Sequence, residues 1–163
     1  MDTRFPFVDW FRNASPYINA HRGRTFVILI EGEAIESPRG EQLIQDLALL
    51  HSLGVRLVVV FGIRPQVQAA LQKAGVAPRL VAGRWVADSA VMAQVEQVAS
   101  HQRLWLEARL SLGLPSTPLH GVDLSVISGN LVTAKPLGVR EGVDFDHSGE
   151  VRRVRAGAIE GLL

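Results

Sequence analysis

Two apolar runs separated by one amphipathic stretch constrain this chain more than any other feature. From Thr25 to Ala74 the sequence reads strand (Phe26–Ile30), turn (Glu31-Gly32-Glu33), helix (Pro38–Leu53), strand (Val55–Phe61), turn (Gly62-Ile63-Arg64) and helix (Pro65–Ala74). Neither strand run alternates with polar residues, which is the pattern of a parallel strand covered on both faces. A right-handed βαβ crossover brings the turns after both strands to one edge of the sheet, the carboxyl edge. Ligand sites of open α/β sheets lie at that edge, so the two turns are the first place to look for one.

The punctuation supports the same reading. Ser37 has the chemistry of an N-cap, Pro38 suits a first helical position, and Gly54 suits the left-handed residue that ends the helix. Leu43, Ile44, Leu47, Leu50 and Leu53 form the expected buried stripe. The second helix buries Val67, Ala70, Leu71 and Ala74 and stops at Gly75. Asp88 caps the longest helix, expected over 88–112, whose apolar period runs through Val91, Met92, Val95, Val98, Ala99, Gln102, Trp105 and Leu106. Gly113 and Pro115 end it.

Before the sheet, residues 5–20 read as a short helix interrupted by Pro16. Phe5, Phe7, Trp10 and Phe11 lie within seven residues, more aromatic surface than a short helix leaves wet. Phe7 and Phe11 are therefore expected to be more than half buried, against another subunit or an uncovered part of the sheet. From Leu119 the period shortens. Strands are expected at Asp123–Ser128, Leu131–Lys135 and Glu150–Arg155, with Ser128-Gly129-Asn130 and Asp146-His147-Ser148-Gly149 as hairpin turns. Arg155–Leu163 begins a helix with Ala156, Ile159, Leu162 and Leu163 as its stripe and no cap after it, so the domain is expected to be incomplete. The fold class is α/β: an open, mainly parallel sheet sandwiched by helices, with β-hairpins in the C-terminal third. Residues 1–22 form an N-terminal helical segment and 23–163 the domain proper.

Composition excludes several functions. The 163 residues carry a net charge of only +1, too little for a protein built around nucleic-acid phosphates. Without cysteine there is no disulfide, thiolate nucleophile or zinc–thiolate site. No apolar run reaches a membrane span and the N-terminus lacks the pattern of a signal peptide, so the expected location is cytoplasmic, with neither membrane nor nucleic acid as partner.

Catalytic motifs are scarce. Neither strand is followed by G-x-G-x-x-G, and no G-x-x-x-x-G-K-[ST], acyl-CoA pyrophosphate loop or G-x-S-x-G elbow occurs. Asp144–Gly149 resembles half a calcium loop, but its twelfth position is Arg155 instead of the closing glutamate, and a polar hairpin turn is the better reading. His21, His51, His101, His120 and His147 are scattered, so no metal site is expected. Arg152-Arg153-x-Arg155 reads as a solvated basic strand edge, without interleaved aromatics for RNA stacking.

The residues themselves also carry a resemblance. The run Pro16-Tyr17-Ile18-Asn19-x-His21-Arg22-Gly23-x-Thr25-Phe26-Val27-Ile28, then Gly32-Glu33-Ala34-Ile35, Leu49–Val60 and Arg64-Pro65-Gln66 are similar to bacterial N-acetylglutamate synthases. So are Ser128-Gly129-Asn130, Pro136–Val139, Gly142-Val143-Asp144 and His147–Arg153. Such synthases join an amino-acid-kinase-like domain to a GNAT-type acetyltransferase domain and transfer acetyl from acetyl-CoA to glutamate, under control by arginine. The resemblance covers the first part of the kinase-like domain. It implies a non-catalytic regulatory and assembly role, a homo-oligomer, a small amino-acid ligand and no cofactor.

Beside acetylglutamate kinases, the positions of the phosphate-contacting lysine and the following glycines look like Leu29, Glu31 and Gly32. The kinase glycine triplet looks like Gly62-Ile63-Arg64, and Arg84 aligns with the arginine that grips the substrate carboxylate. Gly32, Gly62, Arg64 and Arg84 are thus the candidate residues of a relic ligand site, with no catalytic residue and no metal ligand named. Leucine cannot neutralise phosphate and Glu31 repels it, which argues against the alternative of a kinase-like phosphotransferase. The other alternative is an oligomerisation module without a ligand.

Overall fold

The computed structural model describes residues 6–111 and 124–163. Its organising unit is β1 (Thr25–Ile30) paired in parallel with β2 (Arg56–Phe61), in the register Thr25↔Arg56 through Ile30↔Phe61. Between them lie a one-turn helix α2 (Gly32–Glu36) and the crossover helix α3 (Gly40–Ser52); α4 (Arg64–Ala74) follows β2. The parallel βαβ unit read from the two apolar runs is present.

Both glycine stops work as expected. Gly54 has φ +87°, its N–H donates to the His51 carbonyl, and the Val55 N–H reaches back to the Leu50 carbonyl. Gly75, at φ +67°, repeats the arrangement with Gln72 and with Val76 and Leu71. These paired bonds satisfy carbonyls that the helix leaves open at its C-terminus.

The start of the crossover helix differs from expectation. Glu31-Gly32-Glu33 is not a plain turn but opens α2, and Ser37 closes α2 instead of capping α3. Its hydroxyl donates to the Ala34 carbonyl at 2.8 Å. Pro38 is not a first helical residue; it occupies the second position of a turn closed by the Gly40 N–H on the Ser37 carbonyl at 2.9 Å, a place its fixed φ suits. Gly40 is buried, and a Cβ there would collide with the Ile35 carbonyl oxygen, so the position needs glycine.

Coverage of the sheet also differs. Ile28 and Ile30 of β1 and Leu57, Val59 and Phe61 of β2 pack with Ile35, Ile44 and Leu47. Leu106 and Leu110 of α5 (Ser89–Ser111) complete this core. The opposite face is open: Val27 is 71% and Leu29 68% exposed, and Val60 stands beside Leu29 in the register. Among the described residues helices therefore cover one face of this two-stranded sheet, so continuous apolarity overstated the burial of Val27 and Leu29.

α5 is capped as expected, the Val91 N–H donating to Asp88 Oδ1 at 2.9 Å. Val91 and Leu106 are buried, while Val95 and Val98 are half-buried. The expected end at Gly113 and Pro115 lies outside the described residues. α4 packs less on the sheet than on the first half of α5, where Val67, Leu71 and Val91 form a second core with Val76, Trp85 and Val95. Ala74, placed in the α4 stripe, is exposed.

Between these helices β3 (Arg79–Val81) and β4 (Arg84–Val86) form an antiparallel hairpin. The C-terminal third is also antiparallel. β5 (Val132–Pro136) pairs with β8 (Gly149–Val154), and the excursion between them contains the small hairpin β6 (Val139–Arg140) and β7 (Val143–Asp144). The expected strand Asp123–Ser128 does not form over 124–128, so Ser128-Gly129-Asn130 is not a hairpin turn; Asp123 lies outside the described residues. Val86, Leu137 and Phe145 build a third core that joins this region to β4. The last helix, α6 (Ala156–Glu160), is one short turn with Leu162 and Leu163 exposed after it, not the longer stripe expected.

At the other end α1 (Pro6–His21) runs through Pro16 without a break. Proline there forfeits the bond to the Arg12 carbonyl, and the neighbouring Ser15 hydroxyl donates to the Phe11 carbonyl at 3.0 Å. No side chain of α1 is buried. Phe7 is 71% and Phe11 51% exposed, so the uncovered sheet does not bury them as one expectation had it.

Candidate functional site

The carboxyl edge of β1 and β2 is built from two turns in close contact. β1 ends at buried Ile30, whose carbonyl accepts the Gly62 N–H at 2.8 Å, continuing the ladder one residue past β2. A Cβ on Gly62 would lie 3.4 Å from the Gly32 N and 3.8 Å from the Glu31 Cα. Gly32 and Gly62 are thus back to back, and the expectation that both turns share one edge holds.

What locks the turns together is Gln66, in the first turn of α4. It is 7% exposed, and its Nε2 donates to the Gly32 carbonyl at 2.7 Å. Its Oε1 is buried without a hydrogen-bond partner among the described residues. A Cβ on Gly32 would lie 2.5 Å from this oxygen and 2.8 Å from Pro65 Cδ, so only glycine fits. Sequence reasoning missed Gln66; the signal available was an amide beside Val67, Ala70 and Leu71 in the buried stripe of α4.

The two arginines sit at the rim. Arg64, the first residue of α4, is exposed and lays its guanidinium 5.4 Å from the centroid of the Trp85 ring, a cation–π distance. Trp85 packs below into the α4–α5 core. Arg84 precedes Trp85 on β4 and is exposed. The structure therefore packs Gly32 and Gly62 against each other, with Arg64 two residues beyond Gly62 in the chain, and connects Arg84 to Arg64 through its neighbour Trp85. No hydrogen bond or ion pair joins the Arg84 side chain to another described residue.

The hairpin carrying Arg84 is fixed from the C-terminal third. Ser148 Oγ donates to the Trp85 carbonyl at 2.8 Å and accepts the Ala87 N–H at 2.9 Å. The His147 N–H donates to the Ala87 carbonyl and Arg79 Nη2 to the Asp144 carbonyl. Asp144–Gly149, read as a polar turn, is that clamp. Leu29, at the position compared with the kinase lysine, projects from the open face of the sheet, and Glu31 is exposed at the start of α2. The rim thus offers the guanidinium groups of Arg64 and Arg84 to a carboxylate, with Glu31 as an opposing negative charge.

A parallel βαβ unit with helices on the sheet and antiparallel hairpins behind it defines an α/β domain of the kind found among small-molecule kinases. The amino acid kinase family model matches residues 24–163, and the chain belongs to that family. Within it, the chain is similar to an amino-acid acetyltransferase of Pseudomonas fluorescens, 49% identical over 157 residues. That alignment takes in 96% of this chain and 36% of the relative. A Pseudomonas aeruginosa relative of the same name is 48% identical over the same shares. Among solved structures it resembles N-acetylglutamate synthase from Neisseria gonorrhoeae complexed with coenzyme A and L-arginine. The TM-score is 0.84 at 33% identity, covering 98% of this chain and 37% of that one. The same enzyme complexed with coenzyme A and N-acetyl-glutamate gives 0.80 at 32% identity. The chain spans about a third of the length of the curated relatives it matches. Among the described residues no helix is long and apolar enough to cross a membrane.

Proposed function

We propose that this chain serves as a non-catalytic, regulatory and assembly part of an N-acetylglutamate synthase, the acetyl-CoA:L-glutamate N-acetyltransferase of arginine biosynthesis. One observation carries the reading: the two turns keep their glycine contact while the positions suited to phosphate hold Leu29 and Glu31. A phosphoryl group at this edge lacks its cation and meets a carboxylate. An amino-acid carboxylate finds Arg64 and Arg84, and an amino group finds Glu31. Gly32, Gly62, Arg64 and Arg84 are accordingly assigned to a relic site for a small amino acid. The similar Neisseria enzyme, solved with L-arginine and with N-acetyl-glutamate, supports that ligand class. We take residues 1–22 as a separate helical segment ahead of the domain 23–163, and the cytoplasm, which suits a chain without cysteine, as its location.

The purified chain is expected to turn over neither acetyl-CoA with glutamate nor ATP with acetylglutamate. Calorimetry with arginine, glutamate and N-acetylglutamate should show binding of at least one, weakened by Arg84→Gln. Turnover above a buffer blank refutes the non-catalytic role; silence with all three amino acids refutes the ligand site. A ligand-free assembly module is the second reading, favoured by the wet aromatic face of α1, where Phe7 stacks with Trp10 and Phe11 at 6.1 and 6.3 Å.

A further inference from the structure

We propose that Arg152, Arg153 and Arg155 form a binding site for a small polyanion bearing phosphate or carboxylate groups. The pairing of β8 with β5 slips by one residue here. Thr133 faces Arg153 and Ala134 faces Val151, which leaves Arg152 as the extra residue of a bulge. In a regular strand, neighbours 152 and 153 point to opposite faces; a bulge re-aims one of them. Both arginines, with Arg155, border one concavity of about 300 Å³ whose remaining wall is Thr133 and Ala134.

No acidic side chain among the described residues offsets the charge there. Among the described residues the carboxylates that precede the three arginines are engaged elsewhere, Glu150 by Lys135 at 4.0 Å and Arg140 at 3.7 Å and Asp146 by His147 at 3.5 Å, and Glu160 after them comes within 4 Å of none of the three. Arg12, Arg103 and Arg109 each have an acidic partner within 4 Å, whereas no described carboxylate comes that close to Arg152, Arg153 or Arg155. Nor does any of the three guanidinium groups donate a hydrogen bond to a described residue. Three planar, permanently charged forks around one hollow repel one another until an anion occupies it, and each can bind a phosphate or carboxylate in two-point fashion. A solvated basic edge needs neither the bulge nor the shared concavity.

The test titrates the intact chain with pyrophosphate and, separately, with citrate, by calorimetry in about 20 mM salt, where exposed charges are weakly screened. Binding of either anion is expected, and the tighter of the two names the source of the charge. The variant Arg152→Gln/Arg153→Gln/Arg155→Gln should weaken it at least about tenfold, because each lost pair was charge-assisted. A control with the same loss of three charges elsewhere, Arg12→Gln/Arg39→Gln/Lys73→Gln, should stay within about twofold of the parent, since distant charges act only through the screened field. The single variants Arg152→Gln and Arg155→Gln, each expected to weaken binding less than the triple, replace it if the triple does not fold. An equal loss in the control, no loss in the site variants, or no binding of either anion at about 10 mM overturns the proposal.

Discussion

Replacing Gly32 by alanine tests the packing of the candidate site directly. The new methyl would sit 2.5 Å from Gln66 Oε1, 2.8 Å from Pro65 Cδ and 3.0 Å from Pro65 Cγ. None of these atoms yields freely: the proline ring is rigid, and the Gln66 side chain is buried and tied to the Gly32 carbonyl at 2.7 Å. Forcing a methyl into a packed region costs about 1–3 kcal/mol. Breaking the amide's bond to Gly32 adds about 0.5–1.5 kcal/mol. At about 2–4 °C per kcal/mol for a chain of this size, the melting point should fall by roughly 3–18 °C. The pair Gln66→Ala and Gly32→Ala/Gln66→Ala then isolates the cause. With the amide gone only Pro65 obstructs the methyl, so Gly32→Ala should cost at least about 0.5 kcal/mol less in that background. Gly157→Ala is the control, since a Cβ there meets nothing within 4 Å, and it should be neutral or slightly stabilising. Thermal unfolding by circular dichroism reads all four variants. A Gly32→Ala midpoint within about 1 °C of the parent, or the same cost in both backgrounds, refutes the account of the edge.

Ser148→Ala should destabilise the chain by about 1–3 kcal/mol, read as a lower denaturant midpoint, because it leaves the half-buried Trp85 carbonyl and Ala87 N–H unpaired. Ala82 holds φ +48° beside Gly83 at φ +76° in the β3–β4 turn, so Ala82→Gly should leave stability unchanged or raise it by up to about 1 kcal/mol in a melting curve. Sedimentation should show the intact chain as a dimer or larger and a variant starting at Ala20 as smaller. A monomer in both refutes assembly through α1, and equal oligomers in both place the interface elsewhere.

The local devices legible in the sequence were those whose chemistry acts within a few residues. Gly54 and Gly75 ended helices because a left-handed residue is needed there, and Asp88 capped α5 because its carboxylate reaches the N–H of Val91. Ser37 misled for a related reason. Its hydroxyl bonds backwards as readily as forwards, and Gly32–Glu36 is too short to show a helical period, so the helix it closes was invisible. The open face of Val27 and Leu29 was missed because apolarity on both sides of a strand records what the strand tolerates, not what covers it in this chain. The exposed aromatics of α1 were misjudged in the same way: Phe7, Trp10 and Phe11 stack on one another and stay largely exposed.

The candidate site was legible as a place more than as a mechanism. Topology alone put Gly32 and Gly62 at one edge, since a right-handed crossover leaves no other arrangement. What fixes that edge depends on separations the pattern cannot report: 34 residues from Gln66 to Gly32, and 63 from Ser148 to Trp85. Each of these polar side chains looks like an ordinary surface residue until the fold buries it beside an unpaired backbone group. Burial then makes the bond obligatory, because leaving such a group without a partner costs more than the bond itself contributes. The rim arginines differ in kind. Arg64 is held by the Trp85 ring, whereas the Arg84 guanidinium has no hydrogen-bond or ion-pair partner among the described residues. Ligand contact at this edge should therefore order Arg84 more than Arg64, and Arg84→Gln should weaken amino-acid binding without moving the melting point of the unliganded chain.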